Sequence, residues 1–364
     1  MPTTSYDIVI LGGGSGGYAC ALRAAQLGKT VALVEKDKLG GTCLHRGCIP
    51  TKAMLHSAEV ADNARDGAKY GVLSSVEGID LAAVHSYKDG VVGRLHKGLQ
   101  GLVKAAANIT YVEGEGRLSA PDTVTVGDEQ LVGEHVVLAT GSYARTLGVE
   151  IGGAVMTSDE ALGMEQVPGR AIILGGGVIG VEFASVLRSF GAEVTIVEAL
   201  DRLVPMEDPA ISKALERAFK KRKIVSRTGV KMESVAQADG FVTLTLEGGE
   251  TLEADLLLVA VGRGPSSEGL GYEEAGVTLD RGFVQVDERL RTGVGNVRAV
   301  GDLVAGAQLA HRGFAHGIFV AEDIAGLEPA PVRDEMVPKV TYSDPEIASV
   351  GLSEEQARER HGDG

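Results

Sequence analysis

The chain has 364 residues, 44% of them hydrophobic, with 35 Lys and Arg set against 50 Asp and Glu for a formal net charge of −15. That is enough apolar material for two or three domains with buried cores, while a pI near 5.1 excludes a general basic face for nucleic acid or anionic membrane. The longest strongly apolar run, Leu256 to Val261, falls far short of the ~20 residues that cross a bilayer. The opening, Met1 to Asp7, lacks the positive flank and cleavage region of a secretory leader, so a reducing cytoplasm is the expected compartment.

In chain order, Tyr6 to Leu11 reads as a short buried strand and leads at once into Gly12-x-Gly14-x-x-Gly17 and a helical pattern from Tyr18 to Leu27. This strand, turn and helix context is what a dinucleotide fingerprint requires. Gly12 permits the tight turn, Gly14 the approach of a pyrophosphate and Gly17 close helix packing. A second strand, Thr30 to Val34, ends at Glu35, placed to bind ribose hydroxyls. Cys20, inside the apolar first helix, reads as inert packing.

The segment Gly40 to Lys52 then places Cys43 and Cys48 five residues apart. With three cysteines in all, a structural network of disulfides is excluded, and the pair reads as a redox-active disulfide. Residues five apart in a regular helix lie roughly 8 to 9 Å from each other, beyond the ~4.4–6.8 Å Cα span of a disulfide, so the backbone must deform. Gly47 gives the freedom, and Pro50 disfavours a helical Ile49. Two other readings stay open at this point. A zinc site would need a second set of ligands, and a buried pair of reduced thiols would leave the surrounding Gly, Pro and Lys pattern unexplained.

Beyond this segment, residues 85–107 read as helical, and residues 111–137 as an antiparallel excursion with short alternating runs. The fingerprint then recurs: strand Ala171 to Leu174, Gly175-x-Gly177-x-x-Gly180, helix Val181 to Phe190 and strand Glu193 to Val197 ending at Glu198. From first glycine to terminal acid, Gly12 to Glu35 and Gly175 to Glu198, the spacing is 23 in both copies. A flavin at the first site and a nicotinamide at the second would form a route to the cysteine pair. Glu198 favours the free 2′-hydroxyl of NAD over a 2′-phosphate, with Arg202 nearby as the counter-indication. The run Lys220 to Lys223 reads as the solvated end of a helix, and Phe241 to Leu246 as a second antiparallel excursion.

Taken together these residues resemble the flavin-dependent pyridine nucleotide-disulfide oxidoreductases. The resemblance covers essentially the whole chain and rests on Gly12 to Gly17, Gly40 to Lys52, Leu138 to Ser142, Gly175 to Glu182, Val261 to Arg263, and Val300 to Asp302 followed by Leu309 to His311. Leu44 and Ile49 resemble the lipoamide branch, and Val178 stands where glutathione reductases carry a gating tyrosine. The implied fold is α/β: two doubly wound, Rossmann-like nucleotide-binding domains and the start of an α+β dimerisation domain. The implied boundaries are 1–146 for the FAD domain with the redox pair, 147–264 for the NAD domain, 265–337 for a second FAD-domain portion and 338–364 for an incomplete dimerisation domain.

The resemblance also implies roles. Cys43 would be the interchange thiol and Cys48 the thiolate nearer the flavin. Lys52 would sit at the reactive flavin edge, paired with Glu182. Asp302 would bind the ribityl chain, with Gly41, Thr42, Gly116, Gly141 and Ala310 lining the FAD and Val230 and Gly262 lining the NAD. The implied reaction moves electrons from dihydrolipoyl groups of acyl carriers in 2-oxo acid dehydrogenase complexes to NAD⁺, in a homodimer. The alternatives are an NAD(P)H-dependent disulfide reductase or diaphorase, and a non-catalytic flavoprotein. Taken alone, Lys52 and Glu182 could equally be exposed helix charges.

Some positions depart from the family pattern. His45 and Arg46 make the redox loop more basic than usual, and are expected to be solvent-exposed loop residues rather than thiolate partners. None of the eight histidines precedes a proline, so the family's C-terminal His-Pro base is expected to lie outside this chain, leaving dye reduction by NADH intact but lipoamide oxidation impaired. The ending, Arg358 to Gly364, reads as a polar loop.

Overall fold

A computed structural model describes residues 2–238 and 240–362. The chain divides into two compact units. The first comprises Met1–Cys48, Val92–Tyr143 and Arg263–Val337; the second comprises Ile49–Val91, Ala144–Gly262 and Pro338–Gly364.

The first unit is built on a seven-stranded sheet in the spatial order Ile109–Glu113, Val31–Glu35, Thr3–Leu11, Glu129–Leu138, Thr123–Val126 and Gly116–Ala120, with Val297–Ala299 also paired to Glu129–Leu138. Parallel pairing joins Thr3–Leu11 to its neighbours on both sides, and the antiparallel portion is confined to the strands between 116 and 138. That is the expected doubly wound core with its antiparallel excursion. Ile8, Val9 and Ile10 are fully buried, as a strand covered on both faces requires. The helix Ser15–Gln26 packs on this sheet, and Cys20 within it is fully buried, its thiol pushed up to about 12 by burial. It is packing material.

In the second unit, a five-stranded parallel sheet runs in the order Ile224–Thr228, Glu193–Glu198, Arg170–Leu174, Leu256–Val259 and Val155–Thr157. A separate antiparallel meander, Met232–Ala238, Phe241–Leu246 and Thr251–Ala254, covers one face through Val242, Leu244 and Leu246 against Ile172, Leu174 and Val197. The other face is sealed by the helix Val178–Phe190 together with Met54, Ala58 and Leu81. The helix Leu81–Ala105 begins earlier than the expected 85–107 helix and ends close to it. Both units are α/β with parallel sheets, as read from the sequence.

Two expectations need correction. The basic run at 220–223 is only partly a solvated helix end: Arg222 is half-buried and donates to Asp62 Oδ2 at 2.9 Å and Ser189 Oγ at 2.8 Å, while Lys220, Lys221 and Lys223 are exposed. The polar ending is helical over Glu354–His361, because Ser353 and Gln356 form a reciprocal capping box that satisfies first-turn donors. Asp363 and Gly364 lie outside the described residues. Among the described residues, no helix is long and apolar enough to cross a membrane.

Candidate functional site

Each unit carries a glycine turn of the same geometry. In the first, Gly12 has φ of +110°, a region costly for residues with a Cβ. A Cβ on Gly12 would lie 2.3 Å from the Ala139 carbonyl oxygen, and one on Gly17 would lie 1.8 Å from the Gly12 carbonyl oxygen. Gly14 is the N-cap of Ser15–Gln26 and makes no side-chain cap bond, so the first-turn N–H groups face outward for an anionic acceptor. Gly41, at φ +58°, meets Gly14 backbone to backbone: its Cβ would stand 2.7 Å from the Gly14 Cα.

Glu35 ties the turn together. Its Oε2 accepts the Gly13 N–H at 2.7 Å and its Oε1 accepts the Asp37 N–H at 2.9 Å. Each oxygen keeps lone-pair capacity for a ribose hydroxyl. Burial pushes this carboxyl above its ordinary range, with the Gly13 and Lys36 N–H bonds and the charges of Lys36 and Arg46 opposing.

The second turn repeats these features. Gly175 has φ of +112°, its Cβ would lie 2.3 Å from the Ala260 carbonyl oxygen, and a Cβ on Gly180 would lie 2.0 Å from the Gly175 carbonyl oxygen. Gly177 is again an N-cap without a side-chain bond, and open space surrounds it. Glu198 Oε2 accepts the Gly176 N–H at 2.5 Å and Oε1 the Leu200 N–H at 2.8 Å. Both turns therefore fit a dinucleotide: bare backbone where phosphate approaches and a fixed carboxylate at the neighbouring strand end. Arg202 is engaged by Asp201 Oδ1 at 3.4 Å and the Pro205 carbonyl at 3.2 Å.

One element of the repeat escaped the sequence reading. Leu39 and Leu203 each close over the middle glycine, their Cδ2 atoms 3.0 and 2.6 Å from where a Cβ of Gly13 or Gly176 would be. Leu39 follows Gly12 by 27 residues and Leu203 follows Gly175 by 28. The equal spacing that exposes the acids is broken by one residue before it reaches the leucines.

In the redox segment, the helix Gly41–His45 stops at Arg46, φ −136° and ψ 11°, and a new helix, Cys48–Asp66, begins. Cys43 and Cys48 thus stand on either side of a break, as their spacing demands. Gly47 contributes space rather than a left-handed backbone: its Cβ would lie 3.2 Å from the Thr42 carbonyl oxygen and 3.5 Å from the Cys43 Cα. Nor does Pro50 keep Ile49 out of the helix. Both lie in its first turn, where a missing N–H costs no intrahelical bond, and burial of Pro50, Thr51, Ala53 and Met54 outweighs the pre-proline preference.

Cys43 and Cys48 are both half-buried. Tyr18, which the sequence reading passed over, is pushed up to about 12 by burial and then by Cys43 and Cys48. His45 is not a solvent-exposed loop residue: it ends the short helix, its Nε2 lies 2.9 Å from the Leu39 carbonyl oxygen, and its ring meets His96 edge-on at 4.7 Å. Arg46 is exposed and paired with Asp37.

Lys52, one turn into the helix that Cys48 begins, donates to both oxygens of Glu182 at 2.8 and 2.9 Å. Glu182 is only 3% exposed and also accepts the Tyr342 N–H at 2.9 Å. The ammonium lies 4.8 Å from the Tyr342 ring centroid, close enough for a cation–π contact. A buried carboxylate with a charged partner and an amide donor is a built site, not a helix-surface charge.

Asp302 lies in a single helical turn, Gly301–Leu303, and its Oδ2 accepts the Ser142 hydroxyl at 2.6 Å. That hydroxyl in turn accepts Arg263 Nε at 2.8 Å. Gly141 has φ +73° in open space, whereas Gly116 is a core position whose Cβ would meet Leu11 at 2.6 Å. Ala310 is half-buried at the start of the helix Ala310–Ile324. In the second unit, the Val230 N–H donates to the Glu198 carbonyl at 3.0 Å, and the Gly262 carbonyl accepts the Arg145 N–H at 3.0 Å. Thr42 is half-buried in the helix that carries Cys43.

Comparison with known proteins agrees with this layout. The family model described as pyridine nucleotide-disulphide oxidoreductase matches residues 6–317, and the model of its dimerisation domain matches residues 337–363. The chain is 44% identical to a dihydrolipoyl dehydrogenase of Bacillus subtilis (strain 168), over 98% of this chain and 79% of that protein. It is 40% identical to the mitochondrial dihydrolipoyl dehydrogenase of Pisum sativum, over 97% of this chain and 73% of that protein. A solved structure, the Cu(II) complex of the HOCl-induced flavoprotein disulfide reductase RclA from Escherichia coli, superimposes with a TM-score of 0.88 at 30% identity, covering 99% of this chain and 80% of that one. With the family match extending through both glycine turns and the cysteine segment, the chain belongs to the pyridine nucleotide-disulphide oxidoreductases.

Proposed function

We propose that this chain is a dihydrolipoyl dehydrogenase, oxidising dihydrolipoyl groups with NAD⁺ through FAD and the Cys43–Cys48 pair. The observation that carries the reading is the helix break that holds both cysteines in the same unit as the first nucleotide turn. Relatives named dihydrolipoyl dehydrogenase, 40 and 44% identical across nearly the whole chain, support the lipoyl substrate. FAD and NAD, when bound, supply two-electron acceptance and hydride exchange.

The chain's own residues have the following roles. Gly12, Gly14, Gly17, Glu35, Gly41, Thr42, Gly116, Gly141, Asp302 and Ala310 hold FAD; Gly175, Gly177, Gly180, Glu198, Val230 and Gly262 hold NAD. With Cys43 and Cys48 joined, a dihydrolipoyl thiolate attacks the Cys43 sulfur and the enzyme S–S bond breaks, its electron pair leaving on Cys48. The second substrate thiolate attacks the substrate sulfur of that mixed disulfide, closing the dithiolane and releasing Cys43 as thiolate. The substrate loses two electrons and the enzyme pair gains them; the two substrate protons pass to solvent or a base. Glu182 fixes the Lys52 amine one helical turn from Cys48.

The lipoyl groups of 2-oxo acid dehydrogenase complexes are the proposed partners, the dimerisation-domain match supports a homodimer, and a cycling dithiol suits the cytoplasm. A second reading, a disulfide reductase of another kind, draws on the 30% identical flavoprotein. The deciding experiment reconstitutes the chain with FAD and compares lipoamide with other disulfides, using NADH and NADPH. Lipoamide preferred with NADH, and a loss of at least about 10³-fold in Cys43→Ser, is the expected outcome. Preference for another disulfide, or for NADPH, would overturn the assignment.

A further inference from the structure

Asp302 sits on a turn of three residues, too short to hold its own shape, and the helix Ala310–Ile324 grips that turn from behind. Arg312, 4% exposed, donates Nη2 to the Ala305 carbonyl at 2.7 Å and reaches the Val304 and Gly301 carbonyls with Nη1 at 3.4 and 3.5 Å. Its Nε donates to Asp334 Oδ1 at 2.6 Å. His316, 2% exposed, offers Nδ1 to the Gly301 N–H at 3.3 Å. The backbone on both sides of Asp302 is thereby held by one guanidinium and one imidazole.

The same helix is locked to the phosphate-facing helix Ser15–Gln26. A Cβ on Gly313 would lie 2.8 Å from Ser15 Oγ, and one on Gly317 would lie 2.2 Å from the Gly16 carbonyl oxygen. At Gly317 backbone meets backbone, with no side chain between to give way, and at Gly313 the Ser15 hydroxyl stands nearest, with the Gly16 N behind it at 3.5 Å. Gly306, at φ +124°, leaves room for the Arg312–Asp334 pair, since its Cβ would stand within 2.4 Å of both side chains.

We propose that Arg312 and His316 are positioning residues for FAD: they fix the Asp302 carboxylate at a set distance from the first nucleotide turn, so that one ligand meets both at once. The inference rests on the reading that the first unit binds FAD, and deepens it. Two fixed points reached without reordering the turn cost less entropy on binding than one fixed point and a mobile one.

The test uses the full chain stripped of flavin and retitrated with FAD, following quenching of flavin fluorescence, with NAD⁺ affinity and melting of the apoprotein measured alongside. His316→Leu removes the acceptor and is expected to weaken FAD binding roughly 10- to 100-fold. His316→Asn, whose Oδ1 replaces Nδ1 as acceptor, is expected to stay within about threefold of wild type, and NAD⁺ affinity is expected to stay constant in both. Asp334→Asn, at a half-exposed partner of Arg312, is a gentler variant expected to weaken FAD about three- to tenfold. FAD affinity unchanged in His316→Leu and Asp334→Asn, or lost equally in His316→Asn and His316→Leu, would overturn the proposal; if His316→Leu fails to fold, Asp334→Asn decides alone. A wild-type chain that binds no FAD would instead sink the underlying reading, a result distinct from wild-type binding with indifferent variants.

Discussion

At the scale of single residues, the glycines and acids of the two turns were legible because each does one thing that only its residue type can do. Gly12 and Gly175 share φ near +110°, and Glu35 and Glu198 each accept an N–H from the middle glycine of their own turn. His316 was not legible. It lies among apolar helix positions with no motif around it, and its value depends on one amide, that of Gly301, fifteen residues away in sequence.

Burial lowers the imidazole of His316 to about 4 from 6.5, with Arg312 adding to the shift and Asp334 opposing it. The unfolded chain therefore takes up this proton first as pH falls, so the associated stability is complete above about 6.5 and is lost progressively towards about 4. At pH 5 the loss is on the order of 2 kcal/mol relative to pH 7. Urea denaturation of wild type and His316→Asn at both pH values checks this: the two are expected to converge as pH falls, and parallel profiles would remove His316 as the cause.

At the scale of elements, the sequence demanded a break between Cys43 and Cys48, and a break is there, but for a different reason than the residues implied. Conformational freedom of Gly47 and the helix-breaking character of Pro50 were the expected causes. The structure replaces the first with a steric requirement, the 3.2 Å approach of a Gly47 Cβ to the Thr42 carbonyl, and the second with first-turn tolerance of proline. Local rules state what a residue permits; which permission is used depends on neighbours brought in by packing, such as the buried Met54. It follows that Pro50→Ala should change stability by less than about 1 kcal/mol. Gly47→Ala should cost about 1 to 3 kcal/mol, as overpacking does. Denaturation midpoints of the two variants check the order, and a larger loss for Pro50→Ala would restore the proline as the breaking element.

At the scale of the whole molecule, the 23-residue repeat predicted two nucleotide folds, and each compact unit contains one, with its own sheet and its own turn. Their discontinuous membership was less legible, since residues 49–91 join the second unit through long-range ties such as Lys52 to Glu182 that no local pattern announces. If each turn serves its own ligand, a substitution that spoils one should spare the other. Gly17→Ala drives a Cβ to 1.8 Å from the Gly12 carbonyl oxygen, and Gly180→Ala drives one to 2.0 Å from that of Gly175; relief in either case must displace the turn backbone. We expect Gly17→Ala to weaken FAD by about 100-fold or more while NAD⁺ affinity stays within about twofold, and Gly180→Ala to reverse the pattern. Calorimetric titration of each ligand into both variants, with circular dichroism to establish folding, gives the comparison. Loss of both ligands in a folded variant would mean that the two turns answer to one cooperative structure, and the assignment of one cofactor to each would have to be rebuilt from that coupling.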